Sequence, residues 1–492
     1  MAPAPPTRRE VLILAILLVL LFFFGNSDTS PPMSRLKRPR PNPTNSSSTP
    51  FHQAYTPHPI DTRLTWGSSP PPETTIVAHV PGLFPHLPKT LLLIILVGWT
   101  VFDKLYIFKG VVYVVSDHPS SVPDVQFIYS KALFIKEGKE EEHSRLPTYK
   151  EIRVISTREA KRLFGTGAQI IDGVTFLVND PPQFITHYYH WSAELWYGFW
   201  RTYTSLAPSI SAEGNTTLPP ARRLLFNHLD NSHWRDYASM NQWVVRASFP
   251  SVTMEFKDDW LDRAEMGKAF VFERVVVADR SAAMLSYNFA RYQRTAAAAF
   301  ALPGGANWWQ PIRNNVIEFA GLSPDVGSGT TGTPVITYIS RQKWGRRMLI
   351  PEHHDRLVEE LYKLRDTYGY EVNVVEAENM SRLEQIRVAA RTTIMMGVHG
   401  NGLTSLLWMK PTPRSTVIEF FYPQGFAHDY EYTTRGLGMV HYGFWNSESF
   451  TSPGMPIPKY VQGFQGNEIP IDGKAVAELC VHRLSLNEEV DD

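Results

Sequence analysis

Residues 395–409 read MMGVHGNGLTSLLWM, an apolar segment interrupted by a histidine among three glycines. The apolar run from Thr393 to Val398 predicts a buried β-strand, and the apolar pattern that resumes at Gly402 predicts a helix. Glycine lets the backbone approach a ligand closely, and the first N–H groups of a helix are free to bind an anion. The pattern fits two alternatives, a structural strand-to-helix turn and an anion-binding turn.

Strands and helices alternate on both sides of this turn. Ser381 and Glu384 have the spacing of a capping box at the start of one helix, and Pro351 lies near the start of another. This alternation predicts a parallel, Rossmann-like sheet, which binds ligands beyond the carboxyl ends of its strands. The predicted strands are 335–339, 371–375, 393–398 and 416–421, and the predicted helices are 351–368, 381–391 and 402–409.

Three side chains that can bind a nucleotide lie at or near these strand ends. Arg341 follows the first strand, His399 follows the third, and Glu419 lies within the fourth. We predict that Arg341 and the helix N-terminus bind a diphosphate, and that Glu419 binds ribose hydroxyls. A dehydrogenase or a phosphoryl-transfer enzyme is a poorer fit, because the sequence has neither the dinucleotide fingerprint nor a P-loop.

A second cluster of chemistry lies upstream, within residues 187–200. Helical spacing places His187, His190 and Glu194 on one face. Three interpretations are open: a metal site, a structural His190–Glu194 pair, and a catalytic or acceptor-facing site. The HExxH pattern of many zinc enzymes is absent, which weighs against the metal.

The pattern divides the folded chain into two domains. Strands are predicted at 109–116 and 273–278, with a helix at 286–302. A chain of 492 residues exceeds what a single hydrophobic core usually supports. We predict an N-terminal domain over 75–330 and a C-terminal domain over 331–492.

In their order and spacing, these motifs resemble family 61 glycosyltransferases. The resemblance extends over roughly residues 100 to 450. Where many members have Ala this chain has Asn401, and where many have Asn it has Ser405. The motifs that carry the resemblance are His187-Tyr188-Tyr189-His190-Trp191-Ser192-Ala193-Glu194, Ser340-Arg341, Arg346-Arg347, Glu384-Gln385, Gly397-Val398-His399-Gly400-Asn401-Gly402-Leu403-Thr404 and Val417-Ile418-Glu419.

The resemblance implies an α/β protein of the GT-B type, with two Rossmann-like domains and a cleft between them. It implies an inverting transferase that moves xylose or N-acetylglucosamine from a UDP-sugar to a hydroxyl of a glycan or glycoprotein. No cofactor and no essential metal are expected. The alternative is a catalytically inactive sugar- or nucleotide-binding scaffold of the secretory pathway.

The resemblance also assigns roles to residues. The general base would be Glu194 or His190, with His187 and Asp230 as further candidates. Without a metal, diphosphate charge would fall to arginines, whose guanidinium groups bind phosphate bidentately. The predicted donor-binding residues are Arg341, Arg346, Arg347, His399, Gly400, Asn401, Gly402 and Glu419.

Composition agrees with a carbohydrate enzyme. The formal net charge is zero, so nothing indicates a nucleic-acid partner. Aromatic residues make up 12% of the chain, which suits stacking on sugars as well as core packing. Cys480 is the only cysteine, so an intrachain disulfide cannot form.

The N-terminus carries a targeting segment. An apolar run, residues 11–24, follows Arg8 and Arg9, and it predicts a signal anchor, with a cleaved signal peptide as the alternative. We therefore divide this part into a cytoplasmic tail and anchor, 1–25, and a disordered stem rich in Pro and Ser, 26–74. With the resemblance, this predicts a single-pass type II protein of the Golgi or endoplasmic reticulum membrane with a lumenal catalytic domain.

Two further features stand apart from these motifs. Asn45, Asn215 and Asn379 each begin an N-glycosylation tripeptide. The apolar segment 83–98 separates Val80-Pro81-Gly82 from Trp99, although in related sequences the corresponding parts are almost contiguous. We interpret this segment as a retained intron or an incorrectly placed gene boundary.

Overall fold

Two β-sheets organise residues 62–78, 98–327 and 332–486, the parts of the chain that the computed structural model describes. The predicted anchor, most of the predicted stem and most of the segment 83–98 lie outside these residues. Within the described residues, no helix combines the length and apolar character that a membrane crossing requires.

The first sheet is mixed. Among the described residues its strands are β1 (Arg63–Thr65), β2 (Thr75–Ala78), β3 (Trp99–Phe108), β4 (Val111–Val115), β5 (Ile152–Ile155), β6 (Gly167–Val178), β7 (Ala221–Phe226), β8 (Thr253–Glu255) and β9 (Phe270–Ala278). The order is β5-β4-β3-β9-β6-β7-β8, with β1 paired to β6 and β2 to β3. Strands β9, β6, β7 and β8 are parallel, while β3 is antiparallel to both β4 and β9. The predicted strands 109–116 and 273–278 correspond to β4 and to the second half of β9.

The folded region begins before the predicted end of the stem. Strand β1 pairs with β6, with Arg63 opposite Gln169. Trp66 is buried, and its indole N–H donates to the carbonyl of Gly165 over 2.7 Å. The boundary predicted at residue 74 is therefore too late. A three-residue strand and a single buried tryptophan leave no periodic pattern in the sequence that would have predicted them.

Helices cover this sheet and lead into the site. They are α1 (Lys139–Ser144), α2 (Thr157–Phe164), α3 (Tyr197–Thr204), α4 (Asn241–Ser248), α5 (Lys257–Glu265), α6 (Arg280–Ala283), α7 (Tyr287–Tyr292) and α8 (Gln310–Phe319). A π-helical segment, His190–Trp196, runs directly into α3. The continuous helix predicted over 286–302 is wrong, because Gln293 adopts a left-handed conformation with φ 54° and ends α7.

The second sheet follows the sequence-based prediction closely. Its strands are β10 (Val335–Ile339), β11 (Glu371–Val375), β12 (Ile394–Val398), β13 (Thr416–Phe420), β14 (Val440–Trp445) and β15 (Glu448–Thr451). The order is β11-β10-β12-β13-β14-β15, and all neighbours are parallel except β14 and β15. The predicted parallel sheet is therefore confirmed, and β14 and β15 extend it.

The helices of the second half also begin and end where their sequence signals lie. Ser381 and Glu384 form the predicted capping box, and Gly369 ends the preceding helix in a left-handed conformation. The segment Asn401–Trp408, predicted as a helix over 402–409, is a 3₁₀-helix. The α-helices are α9 (Pro351–Tyr368), α10 (Arg382–Arg391), α11 (Asp429–Gly436) and α12 (Gly473–Leu484).

One apolar core continues from the first sheet into the second. The indole N–H of Trp309 donates to the carbonyl of Leu407 over 2.9 Å. The buried guanidinium of Arg313 donates to the carbonyls of Trp408 and Met409. Trp408 in turn donates to the Tyr188 hydroxyl. These contacts fix the 3₁₀-helix of the second half against the aromatic segment of the first.

The segment 83–98 can be tested as an insertion. Strands β2 and β3 already pair, with Ala78 opposite Val101, so a short turn would join them. Gly98 has φ 81°, and a Cβ there would lie 2.4 Å from the Ala283 backbone nitrogen. Deleting residues 83–98 places Gly82 directly before Trp99 and so restores a glycine at this position.

We expect the deletion variant to fold with an unchanged melting temperature, measured by differential scanning fluorimetry. The control is the same deletion combined with Gly82→Ala, which we expect to melt several degrees lower because of the backbone clash. A deletion variant that fails to fold, beside a full chain that folds, would show that the segment belongs to the structure.

Candidate functional site

A pocket of about 240 Å³ lies at the carboxyl ends of β10, β11 and β12. Topology places it there, since parallel α/β sheets leave a crevice at these strand ends. Tyr188, Tyr237 and Ala238 of the first half close its other side. Its wall in the second half includes Arg341, Trp344, Glu378, Gln385, Asn401 and Gly402. The pocket is therefore formed jointly by the two halves of the chain.

Two guanidinium groups converge above Gly400, at the edge of this pocket. A Cβ at Gly400 would lie 2.9 Å from Nη1 of Arg341 and 3.5 Å from Nη1 of Arg347. The absence of a side chain at residue 400 therefore makes room for the Arg341 guanidinium, while Arg347 lies at ordinary contact distance from the same point. Gly402 has a comparable function in packing, since a Cβ there would lie 2.9 Å from Cγ2 of Ile339.

These two cations have no carboxylate partner among the described residues. Burial, and then the charge of Arg347, lowers the pKa of Arg341 to about 10. Its Nε is buried without a hydrogen-bond partner in the described structure. Arg347 donates to the Gln465 side chain over 2.5 Å and to the His399 carbonyl over 3.4 Å. Both groups remain charged at neutral pH, and their local excess of positive charge favours an anion. Arg346 lies exposed beside them.

His399 is buried below the pair and held by Glu419. Its Nδ1 lies 2.6 Å from Oε1 of Glu419, and Nε2 of His441 lies 2.8 Å from Oε2. Burial lowers the pKa of His399 to about 3 and raises that of Glu419, so the His399 ring is neutral at physiological pH. Glu419 is fully buried with both oxygens engaged. The geometry gives it the function of fixing His399, whereas its predicted contact with ribose stays a prediction.

Asn401 connects the second half to the first. It is the first residue of the 3₁₀-helix, and its Oδ1 accepts the backbone N–H of Tyr189 over 3.1 Å. The Tyr189 hydroxyl donates to the Asp429 carbonyl over 2.8 Å. Tyr189 directly precedes His190, so these two bonds tie the upstream motif to the glycine-rich turn.

The upstream cluster is organised around a buried carboxylate, Glu194. Its Oε2 lies 2.5 Å from Nδ1 of His190 and 2.7 Å from Nη1 of Arg280. Its Oε1 accepts the backbone N–H and the hydroxyl of Thr295, both over 3.3 Å. The π-helical segment, a feature frequent at functional sites, carries both His190 and Glu194.

This environment keeps Glu194 ionised. Burial opposes the charge, but Arg280 and His190 outweigh burial and hold the pKa well below its usual value. Both carboxylate oxygens are occupied, whereas Nε2 of His190 has no partner among the described residues, and the His190 side chain is 27% exposed. The pair therefore presents an oriented imidazole, as a carboxylate does for histidine in many active sites.

The structure separates the two remaining candidates for the base. His187 joins the cluster, with its ring centroid 4.9 Å from that of His190. Burial, and then His190, lowers the pKa of His187 to about 4. Asp230 does not join it. It is exposed on a loop after β7, where hydrogen bonds from Ser232 and His233 lower its pKa to about 2.

The candidate site was predicted to need no metal. Within the described ranges, no group of three or more His, Cys, Asp or Glu side chains could hold a metal ion. His190 and Glu194, the two closest residues of the upstream cluster, bond to each other.

Residues 188–418 match the family model described as Glycosyltransferase 61. The chain contains a family 61 glycosyltransferase domain. The match begins at Tyr188 and ends at Ile418, so it includes His190, Glu194 and the arginines at Gly400, while His187 and Glu419 lie one residue outside it. A comparison with curated proteins found no match.

The candidate site contains residues that the sequence analysis missed. Asp429, at the first position of α11, pairs with Arg294 over 2.6 Å and has one oxygen, Oδ2, that is buried and unpartnered in the described structure. Arg280 and Thr295 hold Glu194. Arg280 follows the end of β9 and Thr295 follows the end of α7. Neither position belongs to a local motif, so no sequence signal marked these residues.

The ionised state of Glu194 should be detectable in how the free energy of unfolding of the transferase changes with pH. A carboxyl group with a depressed pKa in the folded state stabilises above its unfolded pKa, near 4.3, and this stabilisation is lost as the pH falls through the folded pKa. Glu194→Gln leaves Arg280 without this carboxylate partner, which we expect to cost about 3–5 kcal/mol at pH 7.

The measurement is denaturant unfolding at pH values between 7 and 3. The deficit of Glu194→Gln should shrink below pH 4, because the unfolded wild-type chain then binds a proton at Glu194 while the folded carboxylate stays ionised, which lowers the stability of the wild type toward that of the variant. The exposed Asp230→Asn variant is the control, and its unfolding midpoint at pH 7 should stay near that of the wild type. A Glu194→Gln deficit that is constant over this pH range would contradict the ionised pair.

Proposed function

We propose that the enzyme is an inverting transferase that moves xylose or N-acetylglucosamine from a UDP-sugar to a hydroxyl of a glycan or glycoprotein. One observation carries the proposal. Arg341 and Arg347, without a carboxylate partner in the described structure, converge at Gly400 beside a pocket at the carboxyl ends of parallel strands. This is the arrangement that a nucleoside diphosphate requires, in the half of the fold where nucleotides bind.

The diphosphate would lie over the glycine-rich turn. Arg341 and Arg347 would bind its oxygens, and the first N–H groups of the 3₁₀-helix, at Asn401 and Gly402, would add further donors. These groups bind the departing diphosphate more strongly as its charge grows, so they stabilise the leaving group. Arg346 is exposed beside them and would serve at most as a peripheral positive charge.

The nucleoside would occupy the pocket between the two halves. Trp344 and Tyr237 both line it, and they are 54% and 86% exposed, which is unusual for large aromatic side chains. A base can stack on such rings, and Glu378 and Gln385 supply polar groups at the pocket wall. The amide of Gln385 already donates to the Ala377 carbonyl, which fixes its orientation.

His190 is the proposed general base, and Glu194 positions it. Nε2 would accept the proton of the acceptor hydroxyl while the hydroxyl oxygen bonds to the anomeric carbon. The bond from that carbon to the phosphate oxygen breaks, and UDP leaves with the electron pair. Glu194 is less suited to accept the proton, since its pKa is depressed and both oxygens are engaged.

The fold and cellular location complete the proposal. Two α/β sheets with a site between them support a GT-B architecture. The apolar run at residues 11–24 behind Arg8 and Arg9 supports a type II anchor in the Golgi or endoplasmic reticulum membrane, with the catalytic region in the lumen. Charge on the diphosphate is assigned to arginines rather than to a metal.

Nucleotide affinity tests the donor site. Arg341→Ala and Arg347→Ala should each weaken UDP binding by about 1.5–3 kcal/mol, because each removes a charge-assisted hydrogen bond. Isothermal titration with UDP gives the affinity, and Arg346→Ala, an exposed arginine of the same loop, is the matched control. Equal effects at all three arginines would indicate a diffuse electrostatic attraction instead of a built site.

Turnover tests the base. His190→Gln should lower kcat about 100- to 10,000-fold and leave UDP affinity unchanged, because a general base acts only in the chemical step. Transfer and donor hydrolysis are measured with UDP-xylose and UDP-N-acetylglucosamine, and Asp230→Asn is the control. If His190→Gln keeps its rate while Glu194→Gln loses it in a folded protein, Glu194 is the base. Binding of UDP by a wild type that never turns over any donor would support the scaffold alternative.

A further inference from the structure

A second concavity, of about 800 Å³, is lined by residues of the first half of the chain and shares none of them with the donor pocket. It opens at the amino-terminal ends of β7 and β8, where Ala221 and Val252 line it, with α8 along one side. The catalytic cluster follows the carboxyl ends of β6 and β9, which are parallel to β7. This groove and the catalytic cluster therefore lie at opposite ends of the parallel strands of the first sheet. We call this concavity the β7–β8 groove.

The lining of the β7–β8 groove suits a carbohydrate. Asn314, Asn315 and Glu318 on α8 supply amide and carboxylate groups, and Pro219 and Pro250 supply flat apolar surfaces. Saccharides present alternating hydroxyl groups and apolar ring faces, and this mixture of hydrogen-bonding and apolar groups matches them. The residue types therefore favour a sugar chain over a purely apolar ligand.

A glycosylation tripeptide, Asn215-Thr216-Thr217, lies on the rim of this groove. The loop that carries it is fixed to α8, since the Asn314 amide donates to the Glu213 carbonyl over 2.8 Å. The Ser211 hydroxyl accepts the backbone N–H of Asn215 and closes the turn. Asn215 is thus held in a defined position at the opening of the groove.

Asn215 and Thr217 are available for modification. Both are exposed, and neither side chain has a hydrogen-bond partner within the described residues. The other glycosylation tripeptide in the described residues, Asn379-Met380-Ser381, differs because its polar side chains are already hydrogen-bonded. The Asn379 amide donates to Glu376 over 2.6 Å, and the hydroxyl of Ser381 accepts the Glu384 N–H as the cap of α10. It also adjoins Glu378, which lines the donor pocket, so a glycan there would crowd the nucleotide.

We propose that Asn215 carries an N-linked glycan whose first sugars lie in the β7–β8 groove, and that Asn379 stays unmodified. The proposal rests on the lumenal location proposed above. The donor would be a lipid-diphosphate-linked oligosaccharide of the endoplasmic reticulum. The Asn215 amide nitrogen bonds to the anomeric carbon, the carbon–oxygen bond to the diphosphate breaks, and the nitrogen loses one proton.

Site occupancy is measured on the full chain produced in eukaryotic cells. Peptide N-glycosidase in ¹⁸O water, followed by peptide mapping, should label Asn215 and leave Asn379 unlabelled. Asn215→Gln and Thr217→Ala should each remove the Asn215 glycan, and Asn379→Gln should leave the glycan pattern unchanged. An unlabelled Asn215, or a labelled Asn379, overturns the assignment.

Contact between the Asn215 glycan and the groove is tested by the rate at which an enzyme removes the glycan, because a glycan that lies in the groove is less accessible. We expect peptide N-glycosidase to act at least tenfold more slowly on Asn215 in the native protein than in the denatured protein. Ser251→Trp, which fills the groove at an exposed position, should abolish this protection. Glu478→Trp, at an exposed position of α12 outside the groove, should preserve it. Equal native and denatured rates in the wild type overturn the groove contact.

Transfer activity measured on the same preparations separates this proposal from the proposed function. An active enzyme without a glycan at Asn215 overturns only the modification site. A protein glycosylated at Asn215 that transfers no sugar overturns only the enzymatic proposal. If glycan and activity are both absent and the catalytic region is digested by protease added outside sealed vesicles, the lumenal location is wrong, and the modification proposal falls with it.

Discussion

The buried carboxylate of Glu194 is the constraint on which the upstream half of the site depends. It draws together a π-helical segment, the guanidinium after β9 and the backbone after α7. A buried charge without such partners would cost several kcal/mol, so the surrounding chain has to supply donors on every side. This requirement explains why α7 ends at Gln293: a continuous helix would carry Thr295 away from the carboxylate.

The second half could be predicted from sequence, whereas the first could be predicted only in part. Strands such as β10 and β12 are buried on both faces and read as apolar runs, and α10 has a capping box. The first sheet is mixed, and β1 is too short to show a periodic pattern of apolar residues in the sequence. The link between Arg294 and Asp429 joins residues 135 positions apart, and only the folded chain brings them together.

The same limit applies to the chemistry of individual residues. Spacing placed His190 and Glu194 on one face, but only their environment separates an ionised, fully engaged carboxylate from an imidazole with a free nitrogen. Asp230 shows the converse, since the family resemblance made it a candidate base and its loop holds it in solvent. Asn401 was predicted to bind the donor, and the structure shows that its side chain also links the two halves through the backbone N–H of Tyr189.

The shared aromatic core has a consequence for how the molecule unfolds. Because Trp309, Arg313 and Trp408 bind backbone and side chains across the two sheets, neither sheet retains a complete apolar surface by itself. The two halves should therefore melt as one cooperative unit, with a single calorimetric peak instead of two. Motions that open the structure will then start at its edges, in β15 and the loops, and amide exchange at the centre will require global unfolding.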